Sequence, residues 1–511
     1  MEKESKAIYP NIIIGFLALL YVIIHIYFSY NLEYHRDELL YFSLGQHPAF
    51  GYASVPPMIG WIAWAMQNIF GFTIFAVRIF PAVLSGLMVI LVSSIARELG
   101  GSGYARILAA LGICVSGFAL RSFLLFQPVH IDLIFWTLVF YIIIRYINTS
   151  SDKYLILLGI TVGASLLNKY LVGLLFILLL VIVPFTRYRS IYSNKRFWYG
   201  VLAGFIVFLP NLIWQIANGL PVINHLAELE RTQLVNVDRT AFLAEQLLMP
   251  FAGSILTVAG LLYLFTSKQV IKYRFLGLVV ISVIITLMLL RGKSYYTIGV
   301  FPFLIAAGAV SWETMLKSTW SRVILSMFLI IVTIPVLPTG IPVFKTEKLV
   351  DYFKELKNRY GLESVCRFED NSIHSLPQDY ADMLGWEELT AITDKAWRMI
   401  PDKKAAFIYC ENYGQAGAIT VIGKKYNLPE AVCFSESFRY WIPERFDPDI
   451  SSTIYINDEL GEDVQQIFRK ITKVGSIENP HAREFGTTVY LCEDPTDSFN
   501  KFWKIRINEL K

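Results

Sequence analysis

Long unbroken apolar runs fill the first two thirds of the chain, at about 11–30, 73–96, 104–120, 131–147, 154–168, 170–186, 197–214, 246–267, 275–290, 295–311 and 322–338. A helix needs roughly 20 apolar residues to cross the hydrocarbon core of a bilayer. The pattern therefore predicts a polytopic α-helical membrane protein with about eleven transmembrane helices, the short pair flanking Lys169 being nearest the length limit. The first run is long and has no small-residue cleavage site, so it reads as a retained signal anchor. Between the first two runs, Pro56 and Pro57 turn the chain into an amphipathic stretch, Met58 to Phe70, that suits the membrane surface. Trp61, Trp64 and Phe70 read there as anchors.

The pattern changes after residue 344. Pro335, Pro338 and Pro342 end the last run, and Lys345 to Arg359 is a charged amphipathic stretch. Ala405 to Cys410 reads as a buried strand, Tyr413 to Lys425 as a helix and Leu428 to Phe434 as a return strand, together a βαβ unit. Two more strands, Thr453 to Ile456 and Thr487 to Cys492, flank a helix near Asp463 to Lys470. The aromatic-rich Ser435 to Trp441 reads as packing or as a substrate contact. Two domains are expected: residues 1–344 in lipid, and residues 345–511 as a small α/β domain in water.

Composition agrees with this division. A chain of 511 residues with 55% hydrophobic content, 15% aromatics and a mean hydropathy of +0.49 is too apolar for a soluble protein. Residues 1–344 carry 23 Lys and Arg against 13 Asp and Glu, whereas residues 345–511 carry 22 against 28. No basic stripe points to nucleic acid.

The cations also orient the chain. With the N-terminus in the cytoplasm, Lys3, Lys6, Arg97, Arg106, Arg145, Lys153, Arg187, Arg189, Lys195, Arg196, Lys268, Lys272, Arg274, Lys317 and Arg322 fall on the inner side, as the positive-inside rule requires. An odd number of spans then places the first loop and the C-terminal domain outside the inner (cytoplasmic) membrane. The few outer cations, Arg36, Arg121, Lys169, Arg231, Arg239, Arg291 and Lys293, stand against that bias and are candidates for binding an anion.

Metal and nucleotide motifs are weak. Cys114, Cys366, Cys410, Cys433 and Cys492 have no zinc spacing, and their odd number excludes a fully paired disulfide framework. The histidines form no ligand pattern. Gly100, Gly101 and Gly103 follow no strand and precede no Lys-Ser pair, so they read as a tight turn.

The most informative residues are Asp37 and Glu38, directly after the first run. Acids are scarce in the apolar part, and a carboxylate pair beside a bilayer is costly unless paired, hydrated or working. The plain alternative is a solvated loop whose glutamate caps a helix. Around the pair run Glu33-Tyr-His-Arg-Asp-Glu-Leu-Leu-Tyr-Phe42, Gly45-Gln-His-Pro-Ala-Phe-Gly-Tyr52, Val55-Pro-Pro-Met58 and Phe70-Gly-Phe-Thr-Ile-Phe-Ala-Val-Arg78. Farther on come Asp132 to Arg145, Leu167-Asn-Lys-Tyr170, Pro210-Asn-Leu-Ile-Trp214, Gly292-Lys-Ser-Tyr-Tyr296, Phe301 to Gly308, Asp382-Met-Leu-Gly-Trp386 and Glu411 to Gly417. In this order the stretches resemble the family 39 glycosyltransferases of the GT-C fold, the superfamily of protein O-mannosyltransferases and the lipid A aminoarabinose transferase, bacterial members included.

The resemblance implies transfer of one sugar, with inversion, from a polyprenyl-phosphate donor to a lipid, glycan or protein acceptor on the outer face. Elementary chemistry is compatible with this. An acceptor hydroxyl needs a base, and a partly desolvated carboxylate is a stronger one; Asp37 is the residue expected to act. The phosphate leaving group needs cations more than a proton, which nominates Lys169, Arg291 and Lys293, though each could instead snorkel to the interface. Glu38 and Asp132 are candidates either to orient the acceptor or to share a divalent cation, magnesium or manganese; Asp132 alternatively reads as a helix cap. Tyr295 and Tyr296 suit either the interfacial aromatic belt or a donor cavity. His35 and Tyr52, which lie in the resembling stretches, are expected to contact substrate. A transporter or lipid flippase with an outer sensing domain is the alternative class, although the two halves show no evident inverted repeat.

Overall fold

The computed structural model describes residues 2–510, with the side chains of 2–8, 236, 509 and 510 outside the described set, and Lys3 and Lys6 among them. Among the described residues, seven helices are long and apolar enough to cross a membrane: Tyr9–Ser29, Ile74–Glu98, Pro128–Thr149, Lys195–Ala217, Lys268–Leu289, Ser294–Met315 and Thr319–Thr339. Arg239–Leu248 and Phe251–Thr266 form a bent pair that meets at 88°, the geometry of a broken span or a re-entrant loop. The break falls at Pro250, whose ring cannot continue a helical ladder. Three expected spans are shorter apolar helices, Gly103–Cys114, Lys153–Leu166 and Val172–Phe185. Every apolar run is thus helical, and the chain is a multi-pass membrane protein; the pair flanking Lys169, expected at the length limit, is among these three shorter helices.

By contacts the chain divides into two compact units, and not by a single cut: 1–29, 50–59 and 78–343 form one, and 30–49, 60–77 and 344–511 form the other. The first unit is a helix bundle whose closest crossings use glycine. A Cβ at Gly159 would lie 1.9 Å from the Gly200 carbonyl oxygen, so only glycine lets Lys153–Leu166 and Lys195–Ala217 touch backbone to backbone. A polar rim joins helix ends: Arg145 Nη1 reaches Glu98 at 2.7 Å, Lys272 Nζ reaches Asn148 at 2.6 Å, and Glu313 accepts the Ser102 N–H at 2.7 Å. That last bond, with Gly100 in the left-handed region at φ 96°, makes the glycine cluster a helix-starting turn.

The second unit holds a four-stranded sheet in the order β1 (Ala406–Cys410), β2 (Ser452–Asn457), β4 (Thr488–Pro495), β3 (Phe468–Ser476). β1 and β2 are parallel and the other pairs antiparallel. Phe407, Tyr409, Tyr455, Phe499 and Trp503 pack in its core. Two expected elements differ. The Leu428–Phe434 return strand is reduced to one bridge, Tyr409 to Val432. The helix near Asp463 stops at Ile467 and the chain becomes β3. The expected helices Lys345–Arg359 and Tyr413–Lys425 appear as Thr346–Tyr360 and as Tyr413–Val421 with a 3-10 extension to Tyr426. The Ser435–Trp441 patch is a 3-10 turn whose Trp441 ring stacks on His47 at 4.0 Å. Met58–Phe70 is the expected helix, and its Trp61 indole donates to the Ala49 carbonyl at 2.8 Å.

Candidate functional site

The stretch after the first span folds into the helix Arg36–Leu44 because it carries its own start signal. The Asp37 N–H donates to His35 Nδ1 at 3.0 Å, while Glu38 Oε2 accepts the His35 N–H at 2.9 Å. This is a capping box with histidine as the cap. Glu38 is fully buried in it, which is the plain helix-capping role.

Asp37 is one residue before Glu38 and points elsewhere. Its Oδ1 accepts the Tyr413 hydroxyl at 3.0 Å. Tyr413 opens the Tyr413–Val421 helix, itself started by a capping box of Asn412 and Gln415. The two helices approach closely at Gly417, where a Cβ would meet the Leu39 side chain at 2.8 Å. The Arg36 guanidinium lies 4.4 Å from the centre of the Tyr413 ring. Burial, then the Asp37 charge, push the Tyr413 hydroxyl well above its ordinary pKa. It therefore stays protonated and donates.

On its other side His35 faces acids, with Nε2 3.6 Å from Asp379 and 3.9 Å from Asp382. Arg483 reaches Asp382 at 3.2 Å. Burial raises the Asp382 pKa, opposed by His35, Arg483 and Arg36. Burial pulls the His35 pKa down, but Asp379, Asp37 and Asp382 outweigh it and leave it raised.

His35, Asp379 and Asp382 offer ligand atoms within 4.8 Å of one another, the one such grouping among the described residues. The ring nitrogens decide what it fits. Nδ1 already accepts the Asp37 N–H, so a neutral ring carries its proton on Nε2, the nitrogen a metal would need. With the cap in place the set fits an ion-paired cluster with Arg483 better than a cation bound through His35. Neither Glu38 nor Asp132 belongs to it.

A second cluster lies in the helix-bundle unit. Asp132 sits in the second turn of Pro128–Thr149, beyond the cap position, which Gln127 occupies. Its Oδ1 accepts the Trp136 indole N–H at 3.1 Å, and Lys169 is its electrostatic partner. Lys169 occupies the turn between Lys153–Leu166 and Val172–Ile182. Its ammonium stands 5.5 Å from the Tyr295 ring centre and 4.9 Å from that of Tyr296. Lys293 is 5.9 Å from the Tyr295 ring and also acts on the Lys169 charge. The structure thus brings together Asp132, Lys169, Lys293, Tyr295 and Tyr296. Arg291 points to the Val235 carbonyl at 3.2 Å and is exposed. Tyr52 is buried in the same unit, 1% exposed, its N–H bonded to the Val55 carbonyl.

Tyr413, Asp379 and Arg483 were not nominated from sequence. The Glu411–Gly417 and Asp382–Trp386 stretches were singled out, but no local signal joins residue 413 to residue 37.

Three similarities bear on this geometry. The family described as dolichyl-phosphate-mannose-protein mannosyltransferase matches residues 54–214. The lipid A galacturonosyltransferase RgtD of Rhizobium johnstonii is 25% identical over 206 residues, 39% of this chain; the match spans 41% of that relative's length. Among solved structures, ArnT from Cupriavidus metallidurans bound to undecaprenyl phosphate superposes with a TM-score of 0.62 at 11% identity, covering 94% of this chain and 97% of that one. Its apo form gives 0.60, with 93% and 97% covered. The family match covers under a third of the chain, and the architecture is the GT-C fold of ArnT over nearly its whole length.

Proposed function

We propose that the protein transfers a single sugar from a polyprenyl-phosphate donor to a lipid, glycan or protein acceptor at the outer face of the inner membrane. The observation that carries the reading is the Lys169 ammonium, which feels the Asp132 charge and is set over two tyrosine rings. A cation so placed suits a phosphate that gains charge as its bond to the sugar breaks. The RgtD and ArnT likenesses favour the same donor class, since ArnT was solved with undecaprenyl phosphate.

In this reading the acceptor oxygen attacks the anomeric carbon while the carbon–oxygen bond to phosphate breaks, and inversion follows from the single displacement. Asp37 takes the acceptor proton, and polyprenyl phosphate leaves against Lys169 and Lys293, with Tyr295 and Tyr296 beside it. Asp132 acts on the Lys169 charge. Glu38 builds the helix that presents Asp37. No step is routed through magnesium or manganese, because one Glu38 oxygen is engaged in the cap. His35 and Tyr52 support the backbone on this reading. The cytoplasmic N-terminus and the outward C-terminal unit rest on the positive-inside count.

Mass spectrometry of the cell envelope, with and without the gene, identifies the sugar that depends on it. Asp37→Asn in the restored strain is expected to abolish that sugar while leaving the protein in the membrane. Full sugar transfer by that variant would remove Asp37 from the base role.

A further inference from the structure

We propose that Tyr413, supplied by the C-terminal sequence, is a positioning residue for Asp37: its phenol clamps one carboxylate oxygen and keeps the candidate base aimed. The inference rests on the reading of Asp37 as the base. It gives residues 345–511 a part in the reaction.

Four observations carry it. The hydroxyl lies 3.0 Å from Asp37 Oδ1, across 376 residues of sequence, so only the tertiary fold creates the contact. The phenol is held from both sides. Its ring stacks under the Arg36 guanidinium, and its backbone begins a helix locked by the Asn412 side chain, which accepts the Gly414 and Gln415 N–H groups at 2.9 and 3.1 Å. Gly414 and Gly417 bring that helix against Arg36 and Leu39, where a Cβ would come within 2.8 Å. Last, the phenol is a donor with no tendency to ionise, because burial and the Asp37 charge both oppose its loss of a proton.

The charged groups acting on this pair are His35, Arg36 and Asp382, with Glu484 acting on Arg36. A neutral hydroxyl donating to a carboxylate favours the charged form. It also removes rotational freedom from a short side chain that must meet a hydroxyl within about 3 Å. A purely structural tyrosine would change neither the pH dependence nor the rate at equal protein level.

The test uses the full-length protein in a strain lacking the gene, following the rate at which the dependent envelope sugar appears at external pH from about 5 to 8. Tyr413→Phe keeps the ring, the Arg36 stack and the volume. It is expected to slow the rate about tenfold to a hundredfold, as loss of a bond to a charged group implies. The acid side of the rate profile moves to higher pH, at unchanged membrane abundance. In an Asp37→Asn background the same change has no further effect. Equal rate and profile in Tyr413→Phe, with Asp37→Asn inactive, overturns the clamp alone; an active Asp37→Asn overturns the base on which it rests. Should the phenylalanine variant lose abundance, difluorotyrosine at 413, a stronger donor of nearly equal size, is expected to move the acid side to lower pH. An unmoved profile there also overturns the proposal.

Discussion

His35 is asked to do two things that compete. Its Nδ1 accepts the Asp37 N–H only while unprotonated, whereas Asp379 and Asp382 on the Nε2 side favour the doubly protonated ring. The magnitudes decide between them. A cap is worth about 1 kcal/mol, and a charge pair near 4 Å is worth up to about 4 kcal/mol at a surface dielectric, less here because Asp379 is half exposed. Ion pairing wins, consistent with the raised His35 pKa. A raised value means stability is fully present below the unfolded pKa of about 6.5 and is lost as pH rises through the folded one. Asparagine at 35 would keep a capping oxygen but not the charge. Thermal unfolding of wild type and His35→Asn is therefore expected to differ most at and below about pH 6.5 and to converge at higher pH; a constant gap would mean that the ring does not titrate against the acids. At this scale the sequence showed Asp37, Asp132, Lys169 and the Tyr295–Tyr296 pair, because each breaks a local pattern. It did not show Tyr413, which is an ordinary tyrosine until the fold places it.

The crossing of Lys153–Leu166 with Lys195–Ala217 shows what glycine spacing does for an element. Inside a bilayer helices gain little from burying apolar surface against each other, so close backbone approach supplies the contact. Gly159→Leu is expected to destabilise the protein by about 1–3 kcal/mol through overpacking, and to lower the yield of monodisperse protein in detergent. Gly15→Leu is the control, because a Cβ at Gly15 meets nothing within 4 Å. If both variants behave as wild type, the crossing does not bear on stability. Elements were legible where period and length agreed, as in the seven long helices and in β1 and β2. β3 was missed for a physical reason: Phe468 to Ser476 carries Arg469, Lys470 and Lys473, charges that suit a strand at the sheet edge but disguise its period. The return strand at Leu428 was over-read because a short apolar run next to β1 satisfies its needs with a single bridge.

Over the whole molecule, the proposed sidedness is open to direct measurement. The native cysteines at 366, 410, 433 and 492 are buried and Cys114 is partly buried, so introduced ones report cleanly. A membrane-impermeant maleimide applied to spheroplasts is expected to label Ser364→Cys, exposed in the C-terminal unit, and to spare Ser190→Cys until the membrane is opened. The reverse pattern would place the Asp37 helix and the C-terminal unit in the cytoplasm and end the proposed function. The sequence by itself determined that this is a multi-pass membrane protein with a small α/β part and the GT-C likeness, because run length, charge asymmetry and motif order are properties of the chain read in one dimension. Only the tertiary structure decided that residues 30–49 and 60–77 pack with 344–511, that Glu38 is spent on a helix cap, and that a tyrosine from the far end of the chain holds Asp37. Those outcomes depend on which surfaces meet across hundreds of residues, and no local period or spacing records that.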